Sequence, residues 1–193
     1  MAYIFEYIRN WLGNNFFLQN FRDREGSIFY DLGSGTGKAV LAMALFGPFK
    51  KLIGIELLEG LWNLSMRSKK FYEKTITDTF IKYKALFTME ETNSVEFLNG
   101  DFLRQNWSDA FIIFANSTCF SQDLMTKIGN KAKAECKVDT IIITVSKKIT
   151  NLNSDWESKN PFKRLMSWGV GTIYLYLRKK VTINYGDVEL TEK

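Results

Sequence analysis

The stretch SIFYDLGSGTGKAVLAMAL (Ser27–Leu45) decides how this chain reads. SIFYD (Ser27–Asp31) is short, aromatic and β-branched, which suits a strand. It runs straight into DLGSGTG (Asp31–Gly37), whose three glycines let the backbone turn sharply and lie against a ligand without Cβ clashes. AVLAMAL (Ala39–Leu45) then reads as a helix, stopped by Gly47-Pro48. Further along, KLIGIE (Lys51–Glu56) is a buried strand, and Leu58 to about Met89 is a long helical stretch. VEFLNGD (Val95–Asp101), FIIFAN (Phe111–Asn116) and TIIITV (Thr140–Val145) supply three more strands, with a helix over Ser121–Lys133. Phe162–Trp168 and Thr172–Leu177 are separated only by Gly169-Val170-Gly171, a hairpin signal.

Strands of continuous apolar character separated by helices predict an α/β fold whose parallel sheet is covered on both faces. With 193 residues and 46% apolar content, the expectation is a single domain with a full core. Residues 1–26 read as an N-terminal helical segment, 27–180 as the core and 181–193 as a tail. The N-terminus lacks a basic lead and a cleavage site, so no signal peptide is expected, and no apolar run approaches the roughly 20 residues of a membrane span. Cys119 and Cys136 show no CxxC spacing, which fits a reducing compartment, cytoplasmic or nuclear.

The chain has no histidine, which removes Ser-His-Asp and Cys-His nucleophilic systems and every His-bearing zinc site. No metal site is expected. The net charge of +5 is scattered in twos and threes, at Lys69-Lys70, Lys147-Lys148 and Arg178-Lys179-Lys180. Such clusters touch phosphates or simply keep a face solvated, so any nucleic-acid contact is expected to be weak.

Three cofactors compete for the glycine-rich turn. A phosphate-cradling loop needs GxxxxGK[ST], but only three residues separate Gly33 from Gly37, and Ala39 follows Lys38. A dinucleotide turn wants GxGxxG, and here the third glycine arrives one residue early. Asp31 is also electrostatically wrong for a pyrophosphate, whereas it suits S-adenosylmethionine, which carries a cationic amino group and a sulfonium. Glu56 ends the second strand about 25 residues later, where an acid can accept hydrogen bonds from ribose hydroxyls. Asp101 and Phe102 follow the third strand, placed to take an adenine amino group and stack on the base. Each acid alone also reads as a helix N-cap. The expected cofactor contacts are Asp31, Gly33, Ser34, Gly35, Gly37, Glu56, Leu57, Asp101, Phe102 and Asn116.

Strand–helix units followed by a β-hairpin are the layout of Rossmann-like class I methyltransferases, which implies a mostly parallel seven-stranded sheet with a C-terminal antiparallel hairpin. FYDLGSGTGK, GIE, NGDFL, IIFANSTCF, SKK and MSWG…YLYL narrow this further. Over roughly Ser27 to Arg178 they resemble the non-SET histone lysine methyltransferases of the disruptor-of-telomeric-silencing type. By position, the resemblance puts the ribose acid on Glu56 and the adenine pair on Asp101 and Phe102. It puts Asn116 at the methyl-transfer centre, and Phe120, Trp168 and a late tyrosine around a lysine channel, so Asn116, Phe120 and Trp168 are the expected catalytic residues. Both aromatics also read as ordinary core. The family's Asn-Asn-Phe becomes Asn116-Ser117-Thr118, and its Tyr-Tyr becomes Tyr174-Leu175-Tyr176. No Tyr-Gly-Glu-like motif precedes Asp31, which leaves open a truncated chain, a more open cofactor site, or Lys38 pairing with the cofactor's carboxylate.

The resemblance therefore implies an S-adenosylmethionine-dependent transferase with a protein substrate, histone-type, in chromatin and hence nuclear. The alternatives are methylation of nucleic acid or of another protein side chain, or cofactor binding without turnover. Amino-group nucleobase methylases carry a proline-rich [N/D]PP[Y/F], and Asn116-Ser117-Thr118-Cys119 has neither proline.

Overall fold

The computed structural model describes residues 6–8, 10, 11, 13, 27–47, 49–82, 93–166 and 169–179. Its strands are β1 (Ile28–Leu32), β2 (Lys51–Glu56), β3 (Ser94–Asn99), β4 (Ile112–Ala115), β5 (Ile141–Val145), β6 (Trp156–Ser158), β7 (Phe162–Met166) and β8 (Gly169–Arg178). Helix α1 (Lys38–Phe46) follows β1, α2 (Glu59–Lys82) follows β2, and α3 (Gln122–Glu135) lies between β4 and β5. The sheet runs β3-β2-β1-β4-β5-β8-β6, with β7 also paired to β8. The β3-β2-β1-β4-β5 block is parallel, and β8 is antiparallel to β5, β6 and β7.

Successive strand residues point to opposite faces, and here both faces are buried. Phe29, Leu52, Ile112 and Ile141 face a layer containing Val40 and Met43 of α1, with Trp62 and Met66 of α2 packed against it. Their neighbours Tyr30, Ile53, Ile113 and Ile142 face Met125, Ile128 and Ala132 of α3. This two-sided burial is why each strand is an unbroken apolar run.

The helix ends obey local chemistry. Gly37 takes φ 81° before α1, and the Gly47 N–H closes its last turn on the Met43 carbonyl at 2.8 Å. Ser121 caps α3 by accepting from the Leu124 N–H at 3.1 Å.

Two expectations need correction. Residues 100–111 join β3 to β4 through turns, so the expected alternation of strands with helices breaks there, and among the described residues α1, α2 and α3 are the α-helices between β1 and β5. The fully buried Trp107 fills that face instead, its indole N–H donating to the Phe102 carbonyl at 2.8 Å. Gly169, Val170 and Gly171 pair with Met166, Leu165 and Arg164, so they belong to the hairpin's second strand and not to its turn. The expected helix to Met89 is described as far as Lys82, and residues 83–92 lie outside the described residues, as do 180–193.

The edge beyond β8 is one strand broken in two. Ser158 pairs with Tyr176 and Phe162 with Ile173, so three residues of the edge oppose two of β8, the count of a β-bulge. Pro161 lies in that interval and has no N–H for the ladder. The strand count is therefore eight where an unbroken edge gives seven.

Candidate active site

The strand order reverses direction between β1 and β4, and ligands of open α/β sheets bind beyond the carboxyl ends at such a point. Asp101 follows β3, Glu56 ends β2, Asp31 lies in β1 one residue before its end, and Asn116 follows β4. The sheet order sets these four side by side along one edge.

The glycine-rich turn folds back on β2. The N–H groups of Gly33 and Ser34 both donate to the Ile55 carbonyl, at 2.9 and 3.0 Å. Gly33, Gly35 and Gly37 all have positive φ, at 75°, 55° and 81°. At Gly33 and Gly37 space matters too: an added Cβ would lie 2.9 Å from the Phe120 ring and 2.4 Å from the Phe97 ring. Glu56 then ties the turn in place. One of its oxygens accepts from the Gly35 N–H at 2.8 Å and the other from the Leu58 N–H at 2.9 Å. Each carboxylate oxygen keeps a second lone pair for a ligand.

Asp31 is 2% exposed, and its Oδ1 has no hydrogen-bond partner among the described residues. Burial, and then the neighbouring Glu56 carboxylate, push its pKa up to about 8. The buried Ser34 hydroxyl is likewise unpartnered among the described residues. Buried polar groups without partners are costly, so this pair marks a place built for something polar. Two buried acids with an open acceptor suit a cation and repel a phosphate. The residues present thus fit the amino end of S-adenosylmethionine and not a dinucleotide.

Asp101 Oδ1 accepts from the Leu103 N–H at 2.8 Å, so this acid also shapes its own turn. Phe102 is buried, and its ring stacks on Phe120 with centroids 5.7 Å apart. Phe120 therefore sits between the glycine-rich turn and the Asp101-Phe102 turn. Asn116 is half-buried, with its Oδ1 accepting from the Thr118 hydroxyl at 3.0 Å. Leu57 is 64% exposed beside Glu56. Trp168 lies outside the described residues.

The two late tyrosines separate by environment. Tyr176 is buried, its phenol accepts from the Ile149 N–H at 2.9 Å, and burial raises its pKa. Tyr174 is half-buried and lines a cavity of about 300 Å³ together with Lys148, Trp156 and Tyr176. It shares a lateral row with Thr144 and Ala115, two strands or about 10 Å from the root of Asn116.

Several contributors escaped the sequence reading. Phe97 packs over Gly37 and Gly54, where an added Cβ would also lie 2.7 Å from the Ser34 hydroxyl. A glycine inside an apolar strand signals close backbone approach, so Gly54 was findable. Ser117, Thr118 and Lys147 tie the Asn116 segment to β5, and nothing in their spacing announces it.

Comparison with known proteins places this geometry. An RNA methyltransferase from Salinibacter ruber, crystallised with S-adenosyl-L-homocysteine, aligns with TM-score 0.59 at 18% identity, covering 88% of this chain and 92% of its own. The M1A22 tRNA methyltransferase TrmK of B. subtilis aligns at 0.56 and 12% identity, over 84% of this chain and 65% of its own. TrmN from Thermus thermophilus aligns at 0.57 and 14% identity, over 83% and 46%. At these identities the likeness is one of fold, and the fold is that of the Rossmann-like methyltransferases.

The sequence pattern of the histone methylation protein DOT1 family matches residues 15–170, and this chain belongs to that family. A Caenorhabditis elegans protein described as histone-lysine N-methyltransferase, H3 lysine-79 specific, is 32% identical over 124 residues, 64% of this chain. The alignment spans 13% of that relative's length.

Proposed function

We propose that this chain is an S-adenosylmethionine-dependent protein-lysine N-methyltransferase acting on a histone, and hence nuclear. The observation that carries the reading is the buried Asp31, with its Oδ1 unpartnered among the described residues beside Glu56, at the switch point of a chain of this family. Asp31 and Ser34 take the amino end of the cofactor, Glu56 the ribose hydroxyls, and Asp101 and Phe102 the adenine. When bound, the cofactor supplies an activated methyl group on a sulfonium.

The protein's own task is to present a neutral amine and exclude water. Neutralising a lysine of pKa about 10.4 near pH 7 costs roughly 4.6 kcal/mol at about 1.36 kcal/mol per unit. An apolar, aromatic channel lowers that cost by disfavouring the ammonium, which requires no histidine. Phe120 and Trp168 are assigned to that channel, with Tyr174 as the late tyrosine. The Asn116 carbonyl has a lone pair beyond the one used by Thr118, and it orients the incoming amine.

The test is labelled cofactor incubated separately with nucleosomes, free histones, total protein and RNA. Label on histone lysine is expected. Label on RNA alone overturns the lysine assignment, and bound cofactor with transfer to nothing leaves a binding protein.

A further inference from the structure

Asn116 leaves β4, and Phe120 follows the short 3-10 turn Ser117–Cys119, so one short segment carries both residues past the carboxyl end of β4. Strand pairing of β4 with β5 ends at Ala115 and Thr144. Beyond that pair, side chains continue the connection. Ser117 is fully buried, and its hydroxyl donates to the Val145 carbonyl at 2.6 Å while accepting from the Lys147 N–H at 3.3 Å. The Lys147 ammonium donates to the Phe120 carbonyl. The Thr144 hydroxyl donates to the Lys147 carbonyl at 2.6 Å, which holds the far end of the same loop.

Proton counting gives this network a direction. The Thr118 hydroxyl lies 3.0 Å from Asn116 Oδ1 and 2.9 Å from the Ser146 hydroxyl. It has one hydrogen, and only as donor can it serve the Asn116 oxygen. Ser146 therefore donates to Thr118, and Thr118 donates to Asn116. Thr118 thereby bridges the Asn116 amide to Ser146 in the loop after β5. Ser146 holds its end with φ 75°, a conformation rare outside glycine.

We propose that Thr118 and Lys147 are positioning residues for methyl transfer: Thr118 sets the Asn116 amide, and Lys147 holds the Phe120 backbone against the loop after β5. The inference rests on the methyltransferase reading above.

The test compares wild type with Thr118→Val, Thr118→Ser, Lys147→Met, Lys147→Arg and Asn116→Ala/Thr118→Val. The readouts are S-adenosylhomocysteine affinity, melting temperature and single-turnover transfer to recombinant core histones. Thr118→Val and Lys147→Met should bind S-adenosylhomocysteine within twofold of wild type yet transfer at least fivefold more slowly. Thr118→Ser and Lys147→Arg, which keep the donors, should recover to within twofold. On the Asn116→Ala background, Thr118→Val should cost nothing more, because its route of action is gone. Unchanged transfer in both variants, an additive loss in the double variant, or a rate loss matched by weaker S-adenosylhomocysteine binding overturns the proposal. Thr118 is exposed, so its variants carry the test even where Lys147→Met fails to fold. A wild type inactive on histones overturns the reading beneath, a different outcome from an active wild type with indifferent variants.

Discussion

Glu56 accepts the backbone N–H of Gly35 at 2.8 Å across the gap between β2 and the glycine-rich turn. Its second oxygen accepts from Leu58 at the entrance to α2, so one carboxylate holds two ends of the cofactor cleft. Glu56→Ala removes both bonds, and each hydrogen bond to a charged group contributes about 1.5–3 kcal/mol. S-adenosylhomocysteine affinity should fall at least tenfold, and the melting temperature should fall as well. Glu56→Gln keeps one acceptor oxygen and should lie between. Calorimetric titration and a thermal melt on both variants check this, and unchanged affinity in Glu56→Ala would sink the ribose assignment.

The Asp31 carboxyl, raised from 3.8 to about 8 by burial and by Glu56, makes stability fall with pH. A raised folded-state value means the native protein holds a proton that the unfolded chain has released. The contribution is fully present below about pH 4 and is lost as pH rises through about 8. The melting temperature of the ligand-free protein should therefore decline across that window, and Asp31→Asn should flatten the decline. If the carboxylate ionises to meet a cationic amino group, cofactor binding should release a proton near pH 7. Calorimetry in buffers of different ionisation enthalpy measures that proton, and Asp31→Asn should abolish it.

Gly37 and Gly35 should respond unequally to alanine. Both have positive φ, but a Cβ at Gly37 meets Phe97 at 2.4 Å, whereas at Gly35 nothing lies within 4 Å. A left-handed non-glycine residue costs about 1–2 kcal/mol, and forced overpacking typically another 1–3. Gly37→Ala should lose about 2–5 kcal/mol of unfolding free energy and Gly35→Ala about 1–2, by urea denaturation. Equal losses would mean that Phe97 yields freely.

Asn116→Ala should retain cofactor affinity within about 1 kcal/mol and lose at least tenfold in turnover, or ~1.4 kcal/mol of transition-state stabilisation. Its amide sits past β4, beyond the acids assigned to the adenosine, so binding and transfer separate here. Trp168→Ala carries the same expectation from the resemblance. Normal turnover in both variants ends the channel assignment.

Much of this was written in local pattern. Leu52-Ile53 and Ile141-Ile142 predict doubly covered strands because each alternate side chain must find an apolar layer, whichever way it points. Asp31, three spaced glycines, Glu56 and Asp101-Phe102 are legible because each sits at a strand's carboxyl end, a position that chain order alone supplies once the sheet is parallel. What the tertiary structure decided is everything that depends on through-space neighbours. Asp31 becomes a high-pKa acid only because burial and Glu56 surround it, and Tyr176 differs from Tyr174 because it is buried and the Ile149 N–H reaches its phenol. Trp107 replaces a helix, Phe97 presses on Gly37, and Lys147 reaches back 27 residues to Phe120. No period or spacing encodes such contacts, because they arise from the closing of distant segments on one another and not from the propensity of any one of them.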